Sequence, residues 1–559
     1  MKPIEAGQHI YANVEAEQSP QKLGGFQTLF HTQGFLTEAE VEELESHLVY
    51  FQPEVNPVKR LFFRLSGGKV VVGQIVSLAG ADRLGRTGRY LAHSLVFSAE
   101  DFTSAGLDPF QVFACFQFIA TVEEAWRLSE GLSGNIGLAR LELGQQQEAW
   151  DLKAAKPWPR AELKKLVSIA LRAPELAQER KMVAFVGSPR SIEEALAAAF
   201  IGLPTSLRPA CSFDTHFAGC NPVRLYYWAA GFFNRPVGGE FLVVEVEGKK
   251  VEVQEQRPET PYERWLEAML EAWKLDFVVR HRDSAHRLCS WLQGHGEMPK
   301  TDDIETEVVE SVFLANPTEL RGRVRERLNK QVSPVLADLV VEAICMRGKP
   351  AEILSGLRNG FDLGEVVSVL WSRYEKEKFR VPERSELQAL AKLLEKKPNS
   401  RLELVWLCWA GERELFRGRL VRAEEGEYRW FVELALGHRL VKDPLVLLVR
   451  GKGRAFLDVL IGSRWEIGLK NLIEALLAEG EEGVLDGLVP FISKRPFGEL
   501  KKTLGLVKGR CSSDSSKAFL EALEKELRQR QPAEATGIMG SLRKKLSNSR
   551  LFGGLLGDR

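Results

Sequence analysis

Gly85-Arg86-Thr87-Gly88-Arg89, followed by His93 and Ser94, is the stretch of this sequence best equipped to hold an anion. Two glycines let the backbone turn tightly, and its N–H groups together with two guanidinium forks suit a phosphate or a carboxylate. If 89–97 is a strand, Arg89, Leu91, His93 and Leu95 share one face, which would aim Arg89 and His93 at the same ligand. The same residues also describe a glycine turn entering a strand, with the arginines holding nearby carbonyls.

Three other groupings carry chemistry-bearing side chains. Gln8-His9-Ile10-Tyr11, read as a strand, places Gln8 and Ile10 on one face and His9 and Tyr11 on the other. His9, His31 and His93 converge only if their strands are neighbours, and each otherwise reads as a structural histidine with satisfied partners. Cys211, Asp214, His216 and Cys220 are zinc-type donors. Their spacing lacks a second ligand pair, and strand parity sends Cys211 and His216 to opposite faces, so a core cysteine is the favoured reading. The tail sets Ile538, Leu542 and Leu546 four residues apart, and 533–559 holds five cations against two anions. A helix docking on a partner or an anionic membrane surface fits this stretch, as does a segment packed on its own domain.

Signatures of catalysis are missing. The sequence has no GxxxxGK[ST] phosphate loop, no HExxH, no GxSxG and no paired CxxC. No catalytic residue, metal or cofactor is therefore expected, and the chain is not expected to be a P-loop GTPase itself.

The elements that position these residues follow from patterning. At 559 residues the chain exceeds one core, and a composition of 44% hydrophobic and 27% charged residues is that of an ordinary globular protein. Lys plus Arg and Asp plus Glu number 76 each, which argues against a non-specific grip on nucleic acid. The absence of a signal-like amino terminus, the absence of an uninterrupted apolar run of membrane-spanning length, and seven scattered cysteines imply a cytoplasmic protein.

Strands are expected at 8–14, 58–65, 70–78 and 89–97, the middle two joined by a hairpin at Ser66-Gly67-Gly68-Lys69. A helix after Thr37 carries a capping box with Glu40. Helices at 98–104 and 160–172 follow, then a strand at "MVAFVG" and a helix capped by Ser191 with Glu194. Extended segments then run to a hairpin about Gly248-Lys249. Beyond Pro258 only helical stretches appear, among them 260–277, 303–315, 331–346, 363–376, 382–396 and 426–441. The expected architecture is an α+β front half of two mixed α/β domains, followed by an all-α back half as an irregular solenoid or bundle. Its units are 1–150, 151–257, 258–530 and a basic amphipathic tail at 531–559.

The same motifs carry a resemblance. Gln8, Tyr11, Gly25, Thr32 and Gly34 match the opening pattern of the bacterial GTPase-associated protein family, in the second of its two amino-terminal domain types. Gly85, Arg86, Gly88, His93 and Leu95 are similar to its GR-x-G-x-x-x-x-H-x-L signature, with Arg89 where a small polar residue is expected. Leu203-Pro204, Arg208 and Ser212-Phe213-Asp214-Thr215 resemble its middle domain. The resemblance covers about residues 1–255 and implies a multidomain partner of a separately encoded GTPase in a bacterial NTP-dependent conflict or signalling system.

The expected function is a non-enzymatic adaptor or scaffold, with Gly85, Arg86, Gly88, Arg89 and His93 as the ligand contact. The alternative is a hydrolase or nucleotide-processing enzyme that brings His9 or His93 together with acidic residues of the middle region in one pocket. A third reading has Arg86 donating a finger to a GTPase in trans.

Overall fold

The structure is a computed structural model. It describes residues 3–50, 57–82, 85, 87–129, 135–142, 153–217, 227–234, 236, 241–253, 259–300, 303–508, 510 and 513–530. The chain divides into two compact units, the first comprising residues 1–323 with 349–354, the second 324–348 with 355–559.

The front of the first unit alternates strands and short helices: β1 (Ile4–Val14), β2 (Gly25–His31), α1 (Glu38–His47), β3 (Lys59–Arg64), β4 (Val70–Ser77) and β5 (Tyr90–Phe97). Then come α2 (Ala99–Ser104), α3 (Pro109–Cys115), α4 (Val122–Ser129) and β6 (Ala139–Leu141). The expected capping box opens α1, with the Thr37 side chain accepting from the Glu40 N–H and Glu40 reaching back to Thr37. The hairpin forms across residues 65–69, where the Leu65 N–H donates to the Lys69 carbonyl at 2.9 Å.

Further along lie β7 (Met182–Val186), β8 (Phe213–Asp214), β9 (Ala229–Phe232), β10 (Phe241–Glu245) and β11 (Glu252–Val253). The helix between β7 and β8 starts at Pro189, earlier than patterning suggested, and Ser188 rather than Ser191 caps it. Proline at the first helical position costs no hydrogen bond and carries a helix-ready φ, so it draws the start forward.

These strands join one mixed sheet in the order β11-β10-β7-β9-β8-β3-β4-β5-β1-β2, with β6 on β1. Strands β10, β7, β9 and β8 run parallel, and β8 meets β3 antiparallel through Leu61 opposite Asp214 and Phe62 opposite Phe213. From β3 to β2 every pairing is antiparallel. The strands expected on either side of residue 150 thus hydrogen-bond into a single sheet.

Strand β5 is buried along its whole length because β4 and β1 flank it and both faces are covered. On one face Leu44 and Leu48 of α1 and its exit pack on Leu61, Phe63, Val71, Ile75, Ala92 and Val96. On the other, Ile10, Ala12, Phe30 and Leu91 meet Ile119, Val122 and Ala125.

From Pro261 onward every regular element among the described residues is helical. The stretch expected as one helix at 260–277 is two, Pro261–Glu271 and Leu275–Leu292. Trp273 adopts φ 55° between them, and the Lys274 N–H caps the Met269 carbonyl. Arg160 holds the break by bonding the Glu271 carbonyl and stacking its guanidinium 4.9 Å over the Trp273 ring. In the second unit, helices 334–347, 363–376, 384–396, 400–410, 413–422, 425–437, 453–462, 469–478 and 497–507 follow in order, with 3-10 turns at Pro444–Leu447 and Glu482–Leu488 in the longer connections. No helix among the described residues is long and apolar enough to cross a membrane.

Phe63, 2% exposed, anchors the α1 face of the sheet. Phe63→Ala is expected to cost roughly 3–5 kcal/mol of stability, measured as a lower urea midpoint at unchanged slope.

Candidate functional site

Gln8 and His93 meet in the middle of the sheet. Strands β1 and β5 pair with Ile10 opposite His93 and Gln8 opposite Leu95, which puts Gln8 and His93 on one face. The Ile119 N–H donates to His93 Nδ1 at 3.2 Å, so the ring proton sits on Nε2 and is donated to Gln8 Oε1 at 3.1 Å. Gln8 Nε2 in turn donates to the Gly137 carbonyl at 2.8 Å. The Gln8 N–H donates to Thr32 Oγ1 at 2.9 Å, and that hydroxyl donates to the same Gly137 carbonyl at 3.2 Å.

His93 is fully buried, edge-on to Phe116 and Phe118, and burial pushes its pKa down to about 3. Both ring nitrogens are occupied, so neither is available to abstract a proton from a ligand. The network is a brace tying β1, β5, Thr32 and the segments at 119 and 137 together.

Gly85, Gly88 and Arg89 lie just before the start of β5. Gly85 and Gly88 take φ 71° and 93°, a region that side-chain-bearing residues adopt at a cost. The Gly85 N–H donates to the Asp82 carbonyl at 2.8 Å, closing the turn. Arg89 Nη2 reaches the Asn13 carbonyl at 3.2 Å and Gln18 Oε1 at 3.4 Å. Arg86 lies outside the described residues. Arg89 and His93 are not brought together, because a four-residue step of extended backbone sets them about 13 Å apart and the His93 ring is enclosed by phenylalanines.

His9 and Tyr11 face the other way, toward α1. His9 Nε2 lies 2.8 Å from Thr28 Oγ1 and 3.7 Å from Glu45 Oε1, and the Thr28 hydroxyl donates to Glu45 in a short hydrogen bond. Because Thr28 donates to Glu45, it accepts from His9, which leaves the proton on Nε2 and a bare lone pair on Nδ1. That Nδ1 is buried with no hydrogen-bond partner. Burial lowers the His9 pKa against the pull of Glu45, while the His9 contact holds the Glu45 carboxyl below its usual range. Tyr11 stacks between His9 and Phe26, 6.5 and 6.1 Å between ring centroids, with Tyr90 beside them. His9 pairs opposite Ser94 whereas His93 pairs opposite Ile10, so the two histidines occupy opposite faces of the sheet. The shared pocket that a His9/His93 hydrolase requires is not formed.

The motif around Ser212 is used at the junction of the parallel and antiparallel strands. Leu203 is fully buried, and Pro204 precedes a short 3-10 helix, Thr205–Ala210. Within it, fully buried Arg208 donates to the Gly106 and Leu107 carbonyls at 2.5 and 2.8 Å. Ser212 Oγ accepts from the Trp228 N–H at 3.0 Å, and Thr215 Oγ1 from the Arg60 N–H at 2.8 Å.

Asp214 pairs with Lys59 at 2.7 Å, both side chains only 3% exposed, and accepts the His216 N–H at 2.9 Å. Lys59 also donates to the Val49 carbonyl at 2.7 Å. His47 and Tyr227 bond nearby at 2.7 Å, and burial lowers both His47 and His216 to about 4. Of the zinc-type donors, Cys211 is a buried thiol directed at the Ala170 carbonyl, Asp214 is engaged by Lys59, and His216 stacks on Phe233. Cys220 lies outside the described residues, and no group of three metal-type donors forms among the described residues. Thr28, Glu45 and Lys59 carry no local signal in the sequence: Glu45 reads as a solvated helix position, and only the long-range pairings give these residues their partners.

What results is a mixed-sheet domain in which Gln8, His93, Arg208, Ser212 and Asp214 are engaged in internal polar contacts. Residues 5–130 match the family model described as GTPase-associated protein 1, N-terminal domain type 2, so the front of this chain is a domain of that type. The resemblance read from Gln8, Tyr11 and the Gly85–Leu95 signature holds over that stretch, and the match does not extend to Leu203–Thr215. No curated protein and no solved structure is significantly similar to the chain.

Two outcomes test these assignments. His93, His47 and His216 are held neutral in the fold, with values of about 3, 4 and 4, and return toward about 6.5 on unfolding. Stability is therefore full above that pH and falls as pH drops toward the folded values, by up to about 1.4 kcal/mol per unit for each histidine. His93→Gln should make urea midpoints measured from pH 7 to pH 5 decline less steeply. Lys59→Met or Asp214→Asn alone should cost about 3–5 kcal/mol, and Lys59→Met with Asp214→Leu should recover most of it, as read from thermal midpoints.

Proposed function

We propose that the chain is a non-enzymatic adaptor that works with a separately encoded GTPase, in a bacterial NTP-dependent conflict or signalling system. The observation carrying this reading is the front domain of GTPase-associated type, in which Gln8 and His93 brace the sheet instead of facing a ligand. Gln8 and His93, spent on internal hydrogen bonds, specify a shape, and shape is what a binding partner reads. The missing phosphate loop leaves nucleotide hydrolysis to the partner.

The Gly85–Arg89 loop is the proposed contact, with Arg86 and Arg89 offering guanidinium forks to a phosphate or carboxylate. The helical unit would hold a second component, since stacked helices offer long binding surfaces. The tail at 531–559, outside the described residues, would contact a partner or a membrane surface.

The test is affinity purification of the full chain from cells that express the neighbouring genes. A GTP-binding protein should be recovered, and Arg86→Ala with Arg89→Ala should reduce that recovery. Recovery of no GTP-binding protein, or GTP turnover by the isolated chain, would overturn the adaptor reading. Undiminished recovery of every partner by the double variant would remove the loop from it. Unchanged turnover of the GTPase on mixing would exclude an arginine finger from Arg86.

A further inference from the structure

Within the second unit a series of aromatic side chains lines up across every second helix. Trp371, on helix Leu363–Lys376, lies 5.6 Å from Trp430 on helix Glu425–Gly437 and 5.3 Å from Phe379. Phe379 in turn lies 5.0 Å from His438. Tyr374, one turn beyond Trp371, meets Trp409 of helix Ser400–Ala410 edge-on at 5.0 Å. Arg401 of that same helix holds its guanidinium 4.9 Å over the Trp430 ring. Of the intervening helices, Arg413–Arg422 supplies Phe416, 5.5 Å from Phe431 beside Trp430, and Arg384–Lys396 brings Glu386 within electrostatic reach of Tyr374. Alternate helices of a stacked array share one side, so the rings belong to a common surface.

Two features distinguish the seam. The Tyr374 hydroxyl and the Trp409 indole N–H are both screened from solvent, and neither has a hydrogen-bond partner. Covered tyrosine and tryptophan donors ordinarily find an acceptor. The second feature is charge. Arg401 is exposed and engages no carboxylate among the described residues, and its one charge contact is with the Trp430 ring. The two turns that bring Phe379 against His438 also carry Lys378, Arg380 and Arg439, all exposed and without a carboxylate partner among the described residues. Of the nearest acids, Glu377 is already held by Arg373 at 3.0 Å. Trp371, Trp409 and Trp430 are each half-buried, leaving part of every ring available. Tryptophan and arginine in one patch is the composition of an interface centre.

We propose that this seam of Trp371, Trp409, Trp430 and Arg401 docks an acidic segment of a partner protein that also carries apolar side chains. Carboxylates of the segment pair with Arg401 and with the cations of the 378–380 and 438–439 turns, while its apolar side chains pack on Trp371 and Trp430. A nucleic-acid strand fits less well, because it calls for cations tracking the rings along their length, and here they gather at the two turns and Arg401. The inference deepens the adaptor reading and rests on it.

The test uses the full chain and a fluorescein-labelled random copolymer of glutamate and tyrosine, with labelled oligo(dT) as the competitor class, both followed by anisotropy. The copolymer should bind, more weakly at high salt. Arg401→Glu with Arg439→Glu should loosen it by about tenfold or more, as should Trp430→Ala, and Arg86→Ala with Arg89→Ala should leave it unchanged. Both charge-reversal positions are exposed, so that variant tests the surface without disturbing the core. Failure of the copolymer to bind, equal binding by the charge-reversal variant, or tighter binding of oligo(dT) would overturn the proposal. If a GTP-binding protein is still recovered while the copolymer does not bind, this inference alone falls. Copolymer binding without recovery of such a protein removes the adaptor reading and leaves the surface.

Discussion

The first unit depends on a two-residue contact. Strand β8 is only Phe213–Asp214, yet it joins the parallel strands β10, β7 and β9 to the antiparallel run that begins at β3. Two backbone pairings are a thin seam, and the side chains reinforce it. Asp214 and Lys59 form an ion pair out of solvent, Thr215 accepts from Arg60, and Phe62, Phe200 and Phe213 pack together beneath. A buried pair of this kind adds little net stability, because desolvation offsets the attraction. What it contributes is register: a one-residue slip would strand a lysine and an aspartate in the core without each other.

A similar logic runs through the other polar groups of the sheet. The Gln8–His93–Gly137–Thr32 brace satisfies groups that would otherwise be left bare between β1, β5 and the segments that cross them. Each partner is useful only if the rest are in place, so the network specifies one arrangement more than it deepens the well. On the opposite face the arrangement is incomplete. His9 Nδ1, Asn13 Oδ1 and Ser94 Oγ are buried without partners, all on the α1 side of the sheet. Ordered water is the usual remedy for polar atoms placed this way.

The helical unit follows more local rules. Its helices start at Ser333, Asp362 and Asn399 caps and are separated by short proline- or glycine-containing connections. Helices pack on consecutive and on next-but-one neighbours: 400–410 on 413–422 and 425–437, 334–347 on 363–376 and 384–396, 469–478 on 497–507. The aromatic seam extends the same pattern, linking rings from helices two and four places apart.

Much was legible from sequence because it depends on nearest neighbours. Period-two and helical patterning located the β3–β4 hairpin, the Thr37 capping box and the switch to helices beyond residue 258. Motif spacing identified the front domain, since its glycines and its Gln8 and His93 sit at fixed separations along the chain. What patterning could not decide is which partner each polar side chain meets. Gln8 reaches Gly137 across 129 positions, Lys59 finds Asp214, and His9 and His93, both strand residues of neighbouring strands, end on opposite faces. Strand pairing order and register settle those encounters, and they are properties of the whole sheet. Patterning located most elements but not the Ser188 cap or the break at Trp273, and the role of Gln8 and His93 as a brace came from the folded sheet, because burial and pairing are collective and no single segment encodes them.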